Sequence, residues 1–107
     1  MQRFGCVIGL NLDKRDEYLA LHRAVWPAVE ERLRASHFTN YTIFEFGDRL
    51  FAYYEYTGDD YAADAAAIAA DPTTQQWWAL TDPCQVRLPG TPDGEQWATM
   101  TEAWHLD

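Results

Sequence analysis

One histidine of this chain stands where an apolar residue is expected. In Tyr18-Leu-Ala-Leu-His-Arg-Ala-Val-Trp-Pro27, helical spacing puts His22 one turn after Tyr18 and in line with Val25, Val29 and Leu33. Such a stripe faces either a dry core or a pocket. In a core, the imidazole is satisfied by one hydrogen bond. In a pocket, it is an acid–base group, because imidazole changes charge near neutral pH. Tyr18 can bring a hydroxyl into the same space.

Trp77 and Trp78 raise a second choice. Adjacent helical residues point about 100° apart. Either one ring packs in the core and the other serves the surface, or the two form an aromatic platform. The C–H face of a sugar ring stacks on indole, while its hydroxyls seek polar groups. Asn40-Tyr41 opens a strand, where a tyrosine is ordinarily packing. Asp82 follows the tryptophan helix and suits a turn, a cap or a pocket rim.

Other chemistries lack their residues. There is no GxGxxG, Walker loop, HExxH or GxSxG, and no carboxylate pair spaced as a glycosidase requires. His22, His37 and His105 are far apart, and Cys6 and Cys84 fit no zinc spacing. No metal and no cofactor is expected. Cys6 reads as a buried strand thiol, and Cys84, after Pro83, as a loop bystander.

The elements that must hold these groups follow from pattern. Residues 3–10 read as a strand, with Asp13 as a cap for a helix running to about Ser36. Pro27 either kinks that helix or begins a second one. Residues 40–46 and 49–56 are strands joined at Gly47-Asp48, an antiparallel hairpin. Gly58-Asp59-Asp60 caps a helix to about Ala70, and Asp71-Pro72 restarts a shorter one to Thr81. Residues 83–96 read as a long loop and 97–106 as a last strand.

The order is β-α-β-β-α-β. It describes an α+β, ferredoxin-like antiparallel sheet with helices on one face. The hairpin has Phe51 and Tyr53 on one face and Leu50, Ala52, Tyr54 and Tyr56 on the other. Helices cover only one of these. The other is an apolar patch that a second copy would cover, giving a twofold homodimer, unless the 83–96 loop folds over it.

The chain has 107 residues, 48% hydrophobic, with a net charge of -9. It is the size of one domain. No basic cluster exists for nucleic acid or an anionic membrane surface, and no apolar run spans a bilayer. The start lacks the order of a signal peptide, so a cytoplasmic location is expected. A neutral ligand fits this charge best.

The segments YLALHRAVWPAVEERL, NYTIFEFGDRLFAYYEYTG, AADPTTQQWWALTDP and EAWHLD together resemble the L-rhamnose mutarotase family. The likeness spans nearly all of residues 1–107 as a single domain and is weakest after Asp82. It implies a dimeric α+β barrel-type fold and cofactor-free interconversion of sugar anomers. It implies His22 as proton donor and Tyr18, Tyr41, Trp77 and Trp78 as sugar contacts. Asp82, Trp26 and Asn40 are further candidates for the site. Ring opening needs one group to take the anomeric hydroxyl proton and another to protonate the ring oxygen. Tyr18, Tyr41, Asp82 and a bound water are the candidates for the base. A cofactor-independent monooxygenase and a non-catalytic binding module share the same fold plan and are the competing readings.

Overall fold

The computed structural model describes residues 1–107. Strand β1 (Gln2–Leu10) leads through a 3-10 turn into helices α1 (Arg15–His22) and α2 (Pro27–Ala35). The hairpin β2 (Phe38–Phe46) and β3 (Arg49–Tyr56) follows. Helices α3 (Tyr61–Ala70) and α4 (Pro72–Thr81) return the chain to the short strands β4 (Gln85–Val86) and β5 (Ala98–Met100). No helix is long and apolar enough to cross a membrane.

The sheet is antiparallel, in the order β2-β3-β1-β4, with β5 also on β1. β4 pairs Gly9 and Leu10, while β5 pairs Gly5 to Val7, so two short pieces share one edge of β1. This is the ferredoxin-like α+β order expected from the sequence.

Local chemistry explains the helix boundaries. Pro27 sits in the first turn of α2, where its missing N–H costs nothing, so the long helix divides there into two. Asp13 is not a cap: Asn11 caps the 3-10 turn that precedes α1, and α1 has no side-chain cap of its own. The Asn11 side chain accepts from the Asp13 N–H and starts the 3-10 turn. Asp60 caps α3 through the Ala63 N–H, and Asp71 caps α4 through the Thr74 N–H. Pro72 again occupies a first turn, which fixes the break between α3 and α4.

β3 alternates as its sequence requires. Leu50, Ala52, Tyr54 and Tyr56 are buried under the helices. Ile8, Leu10, Tyr18, Leu50 and Cys84 form one core cluster, and Cys6, Phe38, Ala52, Tyr54, Tyr56 and Ile68 the other. Cys84 is therefore a core residue and not a loop bystander. Both thiols are unpaired, and burial raises the pKa of each above the ordinary thiol value.

The open face is bare. Phe44 is 64% and Phe46 80% exposed, and Val86 and Met100 are exposed on the same face at the opposite edge of the sheet. The 83–96 loop reaches this face at the β4 edge, where Leu88 lies over Gly9, and leaves Phe44 and Phe46 exposed. Arg87 gathers it at the β1 edge by donating to the backbone oxygens of Thr91, Pro92 and Glu95. The last strand is also shorter than its alternation suggests. Pairing ends at Gly5 and Met100, and in that register β1, which begins at Gln2, runs out opposite Ala103.

Candidate active site

Between the helices and the sheet lies a cavity of about 850 Å³. That is within the range of small-molecule sites. Tyr18, His22, Val25, Val29 and Leu33 all line it, so the stripe read as one helix converges on one space from two.

His22 ends α1. Its Nδ1 lies 2.8 Å from the Tyr18 carbonyl oxygen. A carbonyl only accepts, so Nδ1 carries the hydrogen and donates. Nε2 is then the nitrogen left to exchange a proton. The ring is held between Tyr18, at 4.2 Å between centroids, and the edge of Trp77, at 5.4 Å.

Tyr18 is 2% exposed, and burial pushes its hydroxyl up to about 12. Tyr41 is also shifted up, mainly because its hydroxyl is removed from water. Phenols in this state remain protonated at neutral pH and act as hydrogen-bond donors rather than bases.

A bulge positions Tyr41. Between Thr39 and Thr42, β2 places two residues opposite the single Tyr54 of β3. Asn40 takes the left-handed conformation there, φ 49, which asparagine tolerates better than most residues. Its amide donates to Glu55 at 2.7 Å. The extra residue lets both Phe38 and Tyr41 face the helices. Both stack on Tyr54, at 4.9 and 5.0 Å between centroids. Asn40 thus reaches the cavity rim with its side chain already engaged.

Helix α4 supplies both tryptophans. Trp77 is 5% and Trp78 38% exposed, and both line the cavity. The inner ring is core and cavity wall at once. Trp26 does not reach this space. It meets Trp77 edge-on at 5.3 Å and lines a separate shallow groove with Leu21 and Ala24. Its place is that of a brace behind Trp77.

Asp82 lies on the cavity wall just past α4. Loss of water around its carboxyl raises its pKa above the ordinary aspartate value. Glu30 is the other carboxylate lining the cavity.

Sequence reasoning missed Gln85, Gln96 and Trp97, which also line the cavity. Gln96 Nε2 donates to Gln85 Oε1 at 3.2 Å, joining the two ends of the Arg87-gathered loop beside the site. Only the polar character of the two glutamines next to the sheet edge pointed to them. No three of the His, Cys, Asp and Glu side chains converge as a metal site would require.

Known proteins extend this picture. A family model described as L-rhamnose mutarotase matches residues 3–106. The chain is 40% identical over 103 residues to an L-fucose mutarotase of Xanthomonas campestris pv. campestris, covering 91% of this chain and 82% of that one. It is 33% identical over 110 residues to an L-rhamnose mutarotase of Opitutus terrae, covering 100% of both. Its fold matches the crystal structure of an L-rhamnose mutarotase from Formosa agariphila, with a TM-score of 0.77, 20% identity and 100% of both chains covered.

Proposed function

The chain belongs to the L-rhamnose mutarotase family, and on that premise we propose that it interconverts the α and β anomers of L-rhamnose or a related 6-deoxy sugar. The reaction is cofactor-free acid–base catalysis. The observation that carries this reading is His22, whose Nδ1 is engaged by the Tyr18 carbonyl while the ring lines the cavity.

In the proposed mechanism His22, as imidazolium, gives the Nε2 proton to the ring oxygen. Asp82 takes the proton of the anomeric hydroxyl. The C1–O bond to the ring oxygen breaks, and C1 becomes an aldehyde. Rotation about C1–C2 turns its other face to the ring oxygen. The reverse transfers then close the ring as the opposite anomer. Positioned acid–base groups of this kind contribute about 10²–10⁴-fold.

Asp82 suits the base because a raised pKa makes its carboxylate a stronger proton acceptor. Activity therefore falls as pH drops through that raised value. Tyr18 and Tyr41 donate to sugar hydroxyls, and Trp77 and Trp78 offer indole faces to the sugar's C–H groups. Val25, Val29, Leu33 and Ile68 line the same space and suit the methyl group of a 6-deoxy sugar.

The protein acts as a twofold homodimer joined through the open sheet face. Exposed Phe44, Phe46, Val86 and Met100 on that face support this. Two unpaired thiols fit a reducing compartment, and the proposed location is the cytoplasm.

NMR magnetisation exchange between the sugar anomers tests the activity. Faster α–β exchange is expected for L-rhamnose or L-fucose, and little for D-glucose, which carries a hydroxyl where the apolar wall expects a methyl group. No acceleration of either deoxy sugar by folded protein would refute the proposal.

A further inference from the structure

The mechanism leaves one polar pair of the cavity without a task. Gln85 and Gln96 stand at the two ends of the loop that Arg87 gathers, and both line the cavity with Tyr18. A glutamine side chain is neither acid nor base, so its use here lies in where it puts hydrogens.

Register places Gln85 beside Tyr18. In the β1–β4 pairing Gln85 stands opposite Leu10, and residues directly opposite share a face of the sheet. Leu10 is buried under the helices, in one cluster with Tyr18 and Cys84. The Gln85 side chain therefore lies on the helix side, among the residues that pack on Tyr18. Burial raises the Tyr18 pKa most, and the Gln85 side chain alone pulls the other way, as a hydrogen-bonding neighbour of the hydroxyl. An N–H aimed at the phenol oxygen has that effect. A carbonyl accepting from the phenol would have the opposite one.

The other end of the same amide is occupied. Gln96 Nε2 donates to Gln85 Oε1 at 3.2 Å. With its oxygen engaged there, Gln85 has Nε2 and its two hydrogens left to offer. Gln96 is held from behind, because Arg87 Nε donates at 2.8 Å to the carbonyl oxygen of Glu95, the residue before it. A phenol has one hydrogen. Once its oxygen accepts from Gln85, that hydrogen is free for the cavity, and a hydroxyl that accepts one hydrogen bond donates a stronger one.

We propose that Gln85 is a positioning residue for Tyr18: its amide N–H donates to the phenol oxygen and so turns the phenol hydrogen toward a hydroxyl of the bound sugar. Gln96 holds the amide in that sense, and the 87–95 loop acts on the site at one remove. The purpose of the contact rests on the mutarotase reading above; the contact itself does not.

Two substitutions separate this role from support of the loop. Gln85→Glu keeps the side-chain length and an acceptor for Gln96, but carries no N–H. Gln85→Met loses both. KM for L-rhamnose should rise about fivefold in each, the effect of one hydrogen bond, with kcat nearly unchanged. In a Tyr18→Phe background neither should raise it further. A wild-type KM in Gln85→Glu, or effects that add to that of Tyr18→Phe, would overturn the proposal. The contact is also read without sugar. In heteronuclear amide spectra the Gln85 side-chain resonances should shift when Tyr18→Phe removes the hydroxyl, and unmoved resonances would overturn it too. If they shift while wild-type protein leaves anomer exchange at the uncatalysed rate, the contact stands and the mutarotase reading falls.

Discussion

The two faces of one sheet carry different chemistry. On the helix side, Leu50, Ala52, Tyr54 and Tyr56 are buried, and the space beside Tyr54 collects His22, Tyr18, Tyr41, Trp77 and Asp82. On the open side, Phe44 stands opposite Phe51, and Tyr53 beyond it donates to Glu55, which shares that face with Arg49 and Arg3. The period of two in β3 divides the residues: even-numbered positions are buried under the helices, and odd-numbered ones form the open face proposed for assembly. Helices leave room for a cavity where bulky aromatics and a bulge hold them off the sheet. An apolar face with no helices above it calls only for a matching face.

That division can be broken from either side. Phe51→Glu puts a charge in the middle of the open face, where a second sheet would strip it of water. Sedimentation should then show monomer at micromolar concentration, with unchanged far-UV circular dichroism. A dimer of normal mass would place the interface elsewhere. On the helix side, Asp82→Asn removes the proposed base, and the exchange rate should fall about 10²-fold. The acidic limb of the pH–rate profile should vanish with it, because the carboxylate whose raised pKa sets that limb is gone. A limb that survives the substitution would assign it to another group.

Smaller changes sharpen the same contrast. Tyr18→Phe deletes a hydroxyl that titrates at about 12 and so stays protonated throughout the neutral range. Loss of one hydrogen bond, roughly 1 kcal/mol, predicts about a fivefold rise in KM with an unchanged pH profile. A shifted profile would make Tyr18 a proton carrier. The smallest effect belongs to Asp64, far from catalysis. It accepts from Tyr56 and lies 3.0 Å from His37, and these contacts, the Tyr56 hydrogen bond first, lower its pKa. A carboxylate lowered in the folded state stabilises above its unfolded pKa, about 3.9, and loses that contribution as pH falls through the folded value. Asp64→Asn should lower Tm slightly at pH 7, have no effect on Tm in strong acid, and leave anomer exchange unchanged.

Much of this division was legible in the residues. Alternation in 49–56 separated the two faces of the hairpin, and helical spacing gathered Tyr18, His22 and Val25 before any fold was known. Pro72 marked a helix start because it lacks an N–H, whereas at Pro27 the residues alone left a kink and a new helix as alternatives. What escaped was set by contacts distant in sequence. The Asn40 bulge depends on its register against Tyr54, so Asn40-Tyr41 looked like an ordinary strand opening. Gln85 and Gln96 reach the cavity because Arg87 gathers the loop between them, which local pattern does not encode. Residues 101–107 alternate like a strand but form no ladder, and Glu102 meets Arg3 of β1 through its side chain alone. Cys84 follows a proline yet lies against Tyr18 and Leu50 in the core.

The account turns on the free nitrogen of His22, and anomer exchange in His22→Ala and His22→Asn tests it most directly. Both variants should keep the wild-type circular dichroism and dimer mass and lose about 10²–10⁴-fold of the accelerated exchange. Folded variants that exchange L-rhamnose anomers at the wild-type rate would contradict the account, and His22 would be a core histidine satisfied by the Tyr18 carbonyl.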